Sequence, residues 1–156
     1  MKILIIGGGG REHTLAWKLA EDSTKPTIFC APGNAGTARI GKNVTIKAND
    51  IEGLLNWAKE NQPDLTIVGP EAPLCAGLVD RFQANRLRVF GPCQKAAQIE
   101  GSKLFSKDVL VSAGVPTGQA ESFSNAEHAK AYIRSAQLPI VVKVDGLAAG
   151  KGVAIC

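Results

Sequence analysis

Met1-Lys-Ile-Leu-Ile-Ile-Gly-Gly-Gly-Gly-Arg-Glu-His-Thr-Leu-Ala-Trp-Lys-Leu-Ala20 opens the chain and decides its fold. Lys2–Ile6 is a continuous apolar run of the kind that a strand buried on both faces carries. Gly7–Gly10 turns the backbone. Arg11–Ala20 has helical periodicity, with Leu15, Ala16 and Leu19 on one face. A strand, a glycine turn and a helix in that order form the first half of a βαβ unit.

The alternation continues downstream. Thr27–Ala31 reads as a second strand and Val44–Ile46 as a short third. Asp50 can cap a helix in which Ile51, Leu54, Leu55 and Ala58 follow the i, i+3, i+4, i+7 spacing. Leu65–Val68 is a strand, Leu74, Leu78, Val79 and Phe82 line one further helix, and Leu87–Phe90 is a strand. This order implies an open parallel sheet with helices on both faces. After Phe90 the pattern changes. Helices are expected over Lys95–Glu100 and Lys103–Ala113, Gly114–Gly118 breaks the chain, and Ser124-Asn-Ala-Glu127 reads as a capping box. A domain boundary is expected near Gly101, separating residues 1–101 from the start of a second domain over 102–156.

Composition narrows the function. The 156 residues are 45% hydrophobic and 21% charged, ordinary for a globular chain. Aromatic residues make up only 5%, too few for stacking platforms on single-stranded nucleic acid. The net charge of +4 is not dominated by any Lys/Arg cluster, so it fits small phosphorylated ligands at least as well as nucleic acid, and no nucleic-acid or membrane partner is expected. No apolar run approaches the roughly 18 residues of a membrane span. Cys30, Cys75, Cys93 and Cys156 form no CxxC pair, and a cytoplasmic protein with reduced, mostly buried thiols is expected.

The last segment, Pro139-Ile-Val-Val-Lys-Val-Asp-Gly-Leu-Ala-Ala-Gly-Lys-Gly-Val-Ala-Ile-Cys156, reads as a strand, a glycine turn and a second strand. Tight glycine turns let successive N–H groups face an anion, and Lys143 and Lys151 add two ammonium groups. The pattern suits a nucleotide phosphate under a hairpin loop. It is not a Walker A loop: Asp145 stands at the first glycine position and Gly152 at the Ser/Thr position.

Three further turns fall at strand ends of the first sheet, the edge where open parallel sheets bind ligands. They are Gly7-Gly-Gly-Gly-Arg-Glu-His13, Ala31-Pro-Gly-Asn-Ala-Gly36 and Gly69-Pro-Glu-Ala-Pro-Leu74. A helix start at the first favours phosphate. A dinucleotide fingerprint fails, because its third glycine falls on Glu12 or His13 and Phe29-Cys-Ala-Pro32 supplies no ribose-binding acid. Glu71, between Pro70 and Pro73, is expected in a stiff loop, either solvated or poised to take a ligand amine or hydroxyl. His13 is expected to pack near the glycine loop.

Together these segments, with Thr66-Ile-Val68, Phe90-Gly-Pro92, Glu100-Gly-Ser-Lys103 and Lys143–Val153, resemble the phosphoribosylamine–glycine ligase family of the ATP-grasp superfamily. The resemblance implies a Rossmann-like pre-ATP-grasp domain followed by the beginning of an ATP-grasp domain. It implies de novo purine synthesis: glycine carboxylate takes the γ-phosphoryl group of ATP, and 5-phosphoribosylamine then displaces phosphate to give glycinamide ribonucleotide. It implies that Lys103 and Lys143 contact ATP phosphates beneath a loop containing Gly146, Gly150, Lys151 and Gly152. It also implies that Gly8, Gly9, Gly10, Arg11, Glu12, Asn34 and Glu71 line the phosphoribosylamine and product site. Mg²⁺ ligands and much of the adenine pocket are expected beyond Cys156, so this stretch alone is not expected to turn over. Gly8 departs from a polar residue frequent in the family, and Val144 from a more usual alanine. A non-catalytic nucleotide- or phosphosugar-binding module, another ATP-grasp ligase and an NAD-linked domain are the competing readings.

Overall fold

The computed structural model describes residues 1–148 and 151–156. They divide into two compact units, Met1–Ala97 and Gln98–Cys156.

The first unit contains β1 (Lys2–Gly7), α1 (Gly10–Ala20), β2 (Thr27–Pro32), β3 (Lys42–Asn43), α2 (Ile51–Asn61), β4 (Leu65–Val68), α3 (Glu71–Cys75), α4 (Leu78–Ala84) and β5 (Val89–Phe90). Its five strands are all parallel, in the order β3-β2-β1-β4-β5. β1 lies at the centre, which is why its apolar run is unbroken. Ile3, Leu4, Ile5 and Ile6 are all fully buried. Successive side chains of a strand point to opposite faces. Leu4 and Ile6 therefore join the core containing Leu54, Leu55 and Ala58 of α2 and Leu78, Val79 and Phe82 of α4. Ile3 and Ile5 join Ala16 of α1, with Ile28 and Cys30 of β2. The helices thus cover both faces, as the alternation predicts.

Several elements differ from the sequence reading. In α1, Leu15 is 39% exposed, and the inward positions are Glu12 and Ala16, one turn apart. A carboxylate that finds a partner inside displaces the leucine from the core face. The third strand is Lys42–Asn43 rather than Val44–Ile46. Val44 and Ile46 still pack against the core, and the Val44 amide donates to the Cys30 carbonyl at 2.8 Å. The single helix expected over Leu74–Phe82 is two, α3 and α4, separated at Gly77, where φ is +85°. Glu71 is the first residue of α3, with Pro70 as its N-cap, and not part of a loop. Of the four cysteines only Cys30 is buried; Cys93 and Cys156 are exposed, and no disulfide forms.

The second unit contains the last half of α5 (Gln94–Gly101), then α6 (Lys103–Ser112), α7 (Ala126–Ser135) and the antiparallel pair β6 (Val141–Lys143) and β7 (Val153–Ile155). The cap of α7 is Asn125, not Ser124: its Oδ1 accepts from the Glu127 and His128 amides. Beyond β7, the backbone of Cys156 exchanges two hydrogen bonds with Ile140.

Candidate functional site

In the first unit the strand order reverses direction between β1 and β4, the place where an open parallel sheet opens a crevice at its carboxyl edge. The turns after β1 and β4 flank that crevice. The turn after β2 is fastened to the one after β1.

Glu12 holds the first two turns together from below. Only 3% of it is exposed, and its Oε2 accepts from the Gly9 amide at 2.6 Å. Its other oxygen, Oε1, has no hydrogen-bond partner among the described residues; Arg11 Nε stands 3.9 Å away. The same carboxylate lies against Gly69. A Cβ there would come within 2.1 Å of Oε1 and 2.6 Å of Cγ and Cδ, so only glycine fits over it.

Above this buried acid, Arg11 reaches across the crevice. Its Nη2 donates to Glu71 Oε2 at 3.1 Å, with side-chain exposures of 67% and 38%. The Glu71 carboxyl is held below the usual glutamate range, first by its own backbone N–H and then by the Arg11 hydrogen bond and charge, against a smaller upward push from desolvation. The pair presents one positive and one negative group side by side, a layout that a ligand carrying both an anion and an amine matches.

Asn34 is spent on loop architecture. Its Nδ2 donates to the Gly8 carbonyl at 3.0 Å, and its Oδ1 accepts from the Gly36 and Thr37 amides at 2.7 and 3.0 Å. Thr37, fully buried, links the Asn34 backbone to Asn43 Oδ1 at 2.8 Å. Thr37 and Asn43 escaped the sequence reading, because nothing local marks a threonine and an asparagine six residues apart as hydrogen-bond partners. His13, expected near the Gly7–Gly10 loop, packs instead on Gly36 in the turn after β2. Gly8 is half-buried, while Gly9 and Gly10 are exposed at the start of α1. The structure therefore gathers Gly8, Gly9, Gly10, Arg11, Glu12, Asn34 and Glu71 at one edge.

The second unit carries the other candidate residues. Lys143 ends β6 opposite Val153 and is exposed, as is Lys151. Gly146 has φ +89°, a conformation that L side chains rarely adopt. At Gly152 the strands close tightly: its carbonyl accepts from the Val144 amide at 2.8 Å. Gly150 lies outside the described residues. Lys103 Nζ donates to the Gly146 carbonyl at 2.7 Å, which brings this lysine to the start of the glycine turn. Two shallow clefts in this unit, about 440 and 650 Å³, gather around Tyr132 and include neither Lys103 nor the glycine turn.

An open parallel sheet with turns at its carboxyl edge in the first unit, and a glycine-turn hairpin tied to Lys103 in the second, belong to a protein of the ATP-grasp type. Two family models match the chain consecutively: the phosphoribosylglycinamide synthetase N domain over residues 1–100, and the ATP-grasp (A) domain of the same enzyme over 101–156. A curated phosphoribosylamine–glycine ligase of Vibrio parahaemolyticus is 57% identical over 99% of this chain, and one of Pasteurella multocida is 55% identical. The chain spans 37% of the length of each of these relatives. The crystal structure of the Thermotoga maritima phosphoribosylamine–glycine ligase superposes with a TM-score of 0.76 at 31% identity, over 99% of this chain and 36% of that one. The N5-carboxyaminoimidazole ribonucleotide synthetase of the same organism shares the fold, with a TM-score of 0.71 at 21% identity over 99% of this chain and 40% of that one. The chain belongs to the phosphoribosylglycinamide synthetase family.

Proposed function

We propose that this chain forms the substrate-binding unit and the first part of the nucleotide-binding lobe of an ATP-dependent ligase. The ligase joins glycine to 5-phosphoribosylamine, giving glycinamide ribonucleotide in de novo purine synthesis in the cytoplasm. The observation that carries this reading is the Arg11–Glu71 pair facing the Gly8–Gly10 turn across the switch point of the sheet. Free N–H groups at the start of α1 and the Arg11 charge suit the ligand phosphate. Glu71 suits its amine. Glu12 and Asn34 fix the loops that present these groups.

In the second unit, Lys103, Lys143 and Lys151 with Gly146, Gly150 and Gly152 are the groups that suit the phosphates of ATP. Their chemistry fits: phosphoryl transfer needs positioned donors and cations more than covalent help from the protein. Mg²⁺ ligation is not assigned to this chain, because no group of three His, Cys, Asp or Glu residues gathers among the described residues.

The test is calorimetric titration of this chain with glycinamide ribonucleotide, with NAD as control. Saturable binding of the ribonucleotide without NAD binding is expected. It should weaken about tenfold or more in Arg11→Ala, as a lost charge-assisted contact predicts. NAD binding in place of the ribonucleotide would overturn the reading.

A further inference from the structure

Asp145 belongs to no group discussed so far, yet its carboxylate accepts from three consecutive residues, Ser102, Lys103 and Leu104. It sits on the turn after β6 and caps a helix more than forty residues earlier in the chain. Its Oδ1 accepts from the Lys103 amide at 2.6 Å and from the Leu104 amide at 3.2 Å, and its Oδ2 from the Ser102 hydroxyl at 3.1 Å. Ser102 is the local cap of the same helix, its Oγ accepting from the Phe105 amide at 3.1 Å. Two side chains therefore divide the first-turn amides of α6, groups that have no partner inside a helix. A second tie runs beside the first, from Lys103 Nζ to the Gly146 carbonyl at 2.7 Å. Desolvation pushes the Asp145 carboxyl upward. Hydrogen bonds from the Leu104 amide, the Ser102 hydroxyl and the Lys103 and Gly146 amides outweigh it and hold the carboxyl below the usual aspartate range.

The arrangement has a chemical consequence. The negative end of Asp145 already occupies the start of α6, so this helix does not offer its N-terminus to a phosphate. Lys103 is the group left to do so, and its ammonium rests on the Gly146 carbonyl, next to Asp145. A lysine that must exchange a carbonyl for a phosphate works only if its backbone stays in place meanwhile.

We propose that Asp145 is a positioning residue for nucleotide binding. Its carboxylate locks the first turn of α6 to the start of the glycine turn, so that Lys103 passes its ammonium between the Gly146 carbonyl and a nucleotide phosphate without losing register. The inference rests on the functional reading above in one respect, that Lys103 meets a nucleotide.

Two measurements test it. In this chain, Asp145→Ala should speed amide hydrogen exchange at Lys103 and Leu104 by about tenfold or more, with Glu127 and His128 of α7 unchanged. Unchanged rates at Lys103 and Leu104 would show that no lock exists and overturn the proposal whatever the protein binds. In the complete ligase polypeptide carrying this segment, Asp145→Ala should raise KM for ATP about tenfold with a smaller change in kcat and none in KM for glycine. Asp145→Asn, which keeps an acceptor oxygen, should fall between, and it serves if the alanine variant does not fold. Asn125→Ala, which loses the cap of α7 instead, should leave KM for ATP within about twofold, separating positioning from loss of a helix cap. Wild-type KM for ATP in both Asp145 variants would overturn the positioning role. If the wild-type polypeptide shows no ATP-dependent activity, the functional reading fails together with the nucleotide half of this inference, while the exchange rates still decide the lock.

Discussion

Glu12 illustrates how one buried residue shapes the turns above it without being exposed among them. Placed on the inward stripe of α1, it would be costly to bury without partners. The Gly9 amide and the Arg11 charge supply them, and glycine at 69 gives the carboxylate room. Gly69→Ala should therefore destabilise the first unit by about 1–3 kcal/mol, the usual cost of overpacking. Removing the obstacle should recover part of it. In a double-mutant cycle with Glu12→Ala, read from urea midpoints, the two changes should couple by more than about 0.5 kcal/mol. Strict additivity would mean that Glu12 is not what excludes the side chain. The Arg11–Glu71 pair adds a titration test. Because the carboxyl of Glu71 is depressed from 4.5 in the folded chain, its contribution to stability is present above 4.5 and lost as pH falls through the folded value. Arg11→Ala should move that titration upward only part of the way, followed by the carboxyl carbon shift in NMR, since the first cause is Glu71's own backbone N–H. A full return to 4.5 would assign the whole depression to Arg11.

At the scale of elements, the central strand and the glycine turn were legible because their signals are local. An unbroken apolar run marks a strand buried on both faces, and the glycines after it mark the turn, although Gly7 still closes β1 and Gly10 already opens α1. The cap of α2 was legible for the same reason: Asp50 accepts from the Gly53 amide at 3.0 Å, as its position before Ile51 implies. Asp50→Ala should cost about 1 kcal/mol in a urea melt, and a loss below about 0.3 kcal/mol would show that solvent substitutes for the cap. What could not be read depends on partners far along the chain. Leu15 gives way to Glu12 because glycines from two different turns make room for a carboxylate. The break between α3 and α4 comes from a single left-handed glycine inside an otherwise continuous apolar pattern. Ser124 and Asn125 are both competent caps, and sequence alone does not choose between adjacent ones. Asp145 is the extreme case: its helix begins at Lys103, and nothing within ten residues of it hints at a capping role.

At the scale of the whole molecule, the two units are held by different means. Both apolar cores lie between Ile3 and Ala97. In the second unit α6 and α7 have no buried residue, and every residue of β6 and β7 is exposed. Burial of apolar surface is the dominant favourable term in folding, so the two units should differ sharply in the free energy of local opening. Phe82 is the test position, because it is fully buried in α4 against the central sheet. Phe82→Ala should cost the first unit about 3–5 kcal/mol. Amide exchange in β1, β2 and β4 should accelerate accordingly, by more than about a hundredfold if opening is global. The amides of Val142 and Val144 in the hairpin draw nothing from that core and should exchange at unchanged rates. If hairpin and sheet accelerated together, the chain would be one cooperative body whose second part borrows its stability from the first. If only the sheet responded, the ligand edge and the glycine-turn hairpin would be separately stabilised devices, and the order of the hairpin would rest on its own ladder and on the bonds that Asp145 and Lys103 make to α6.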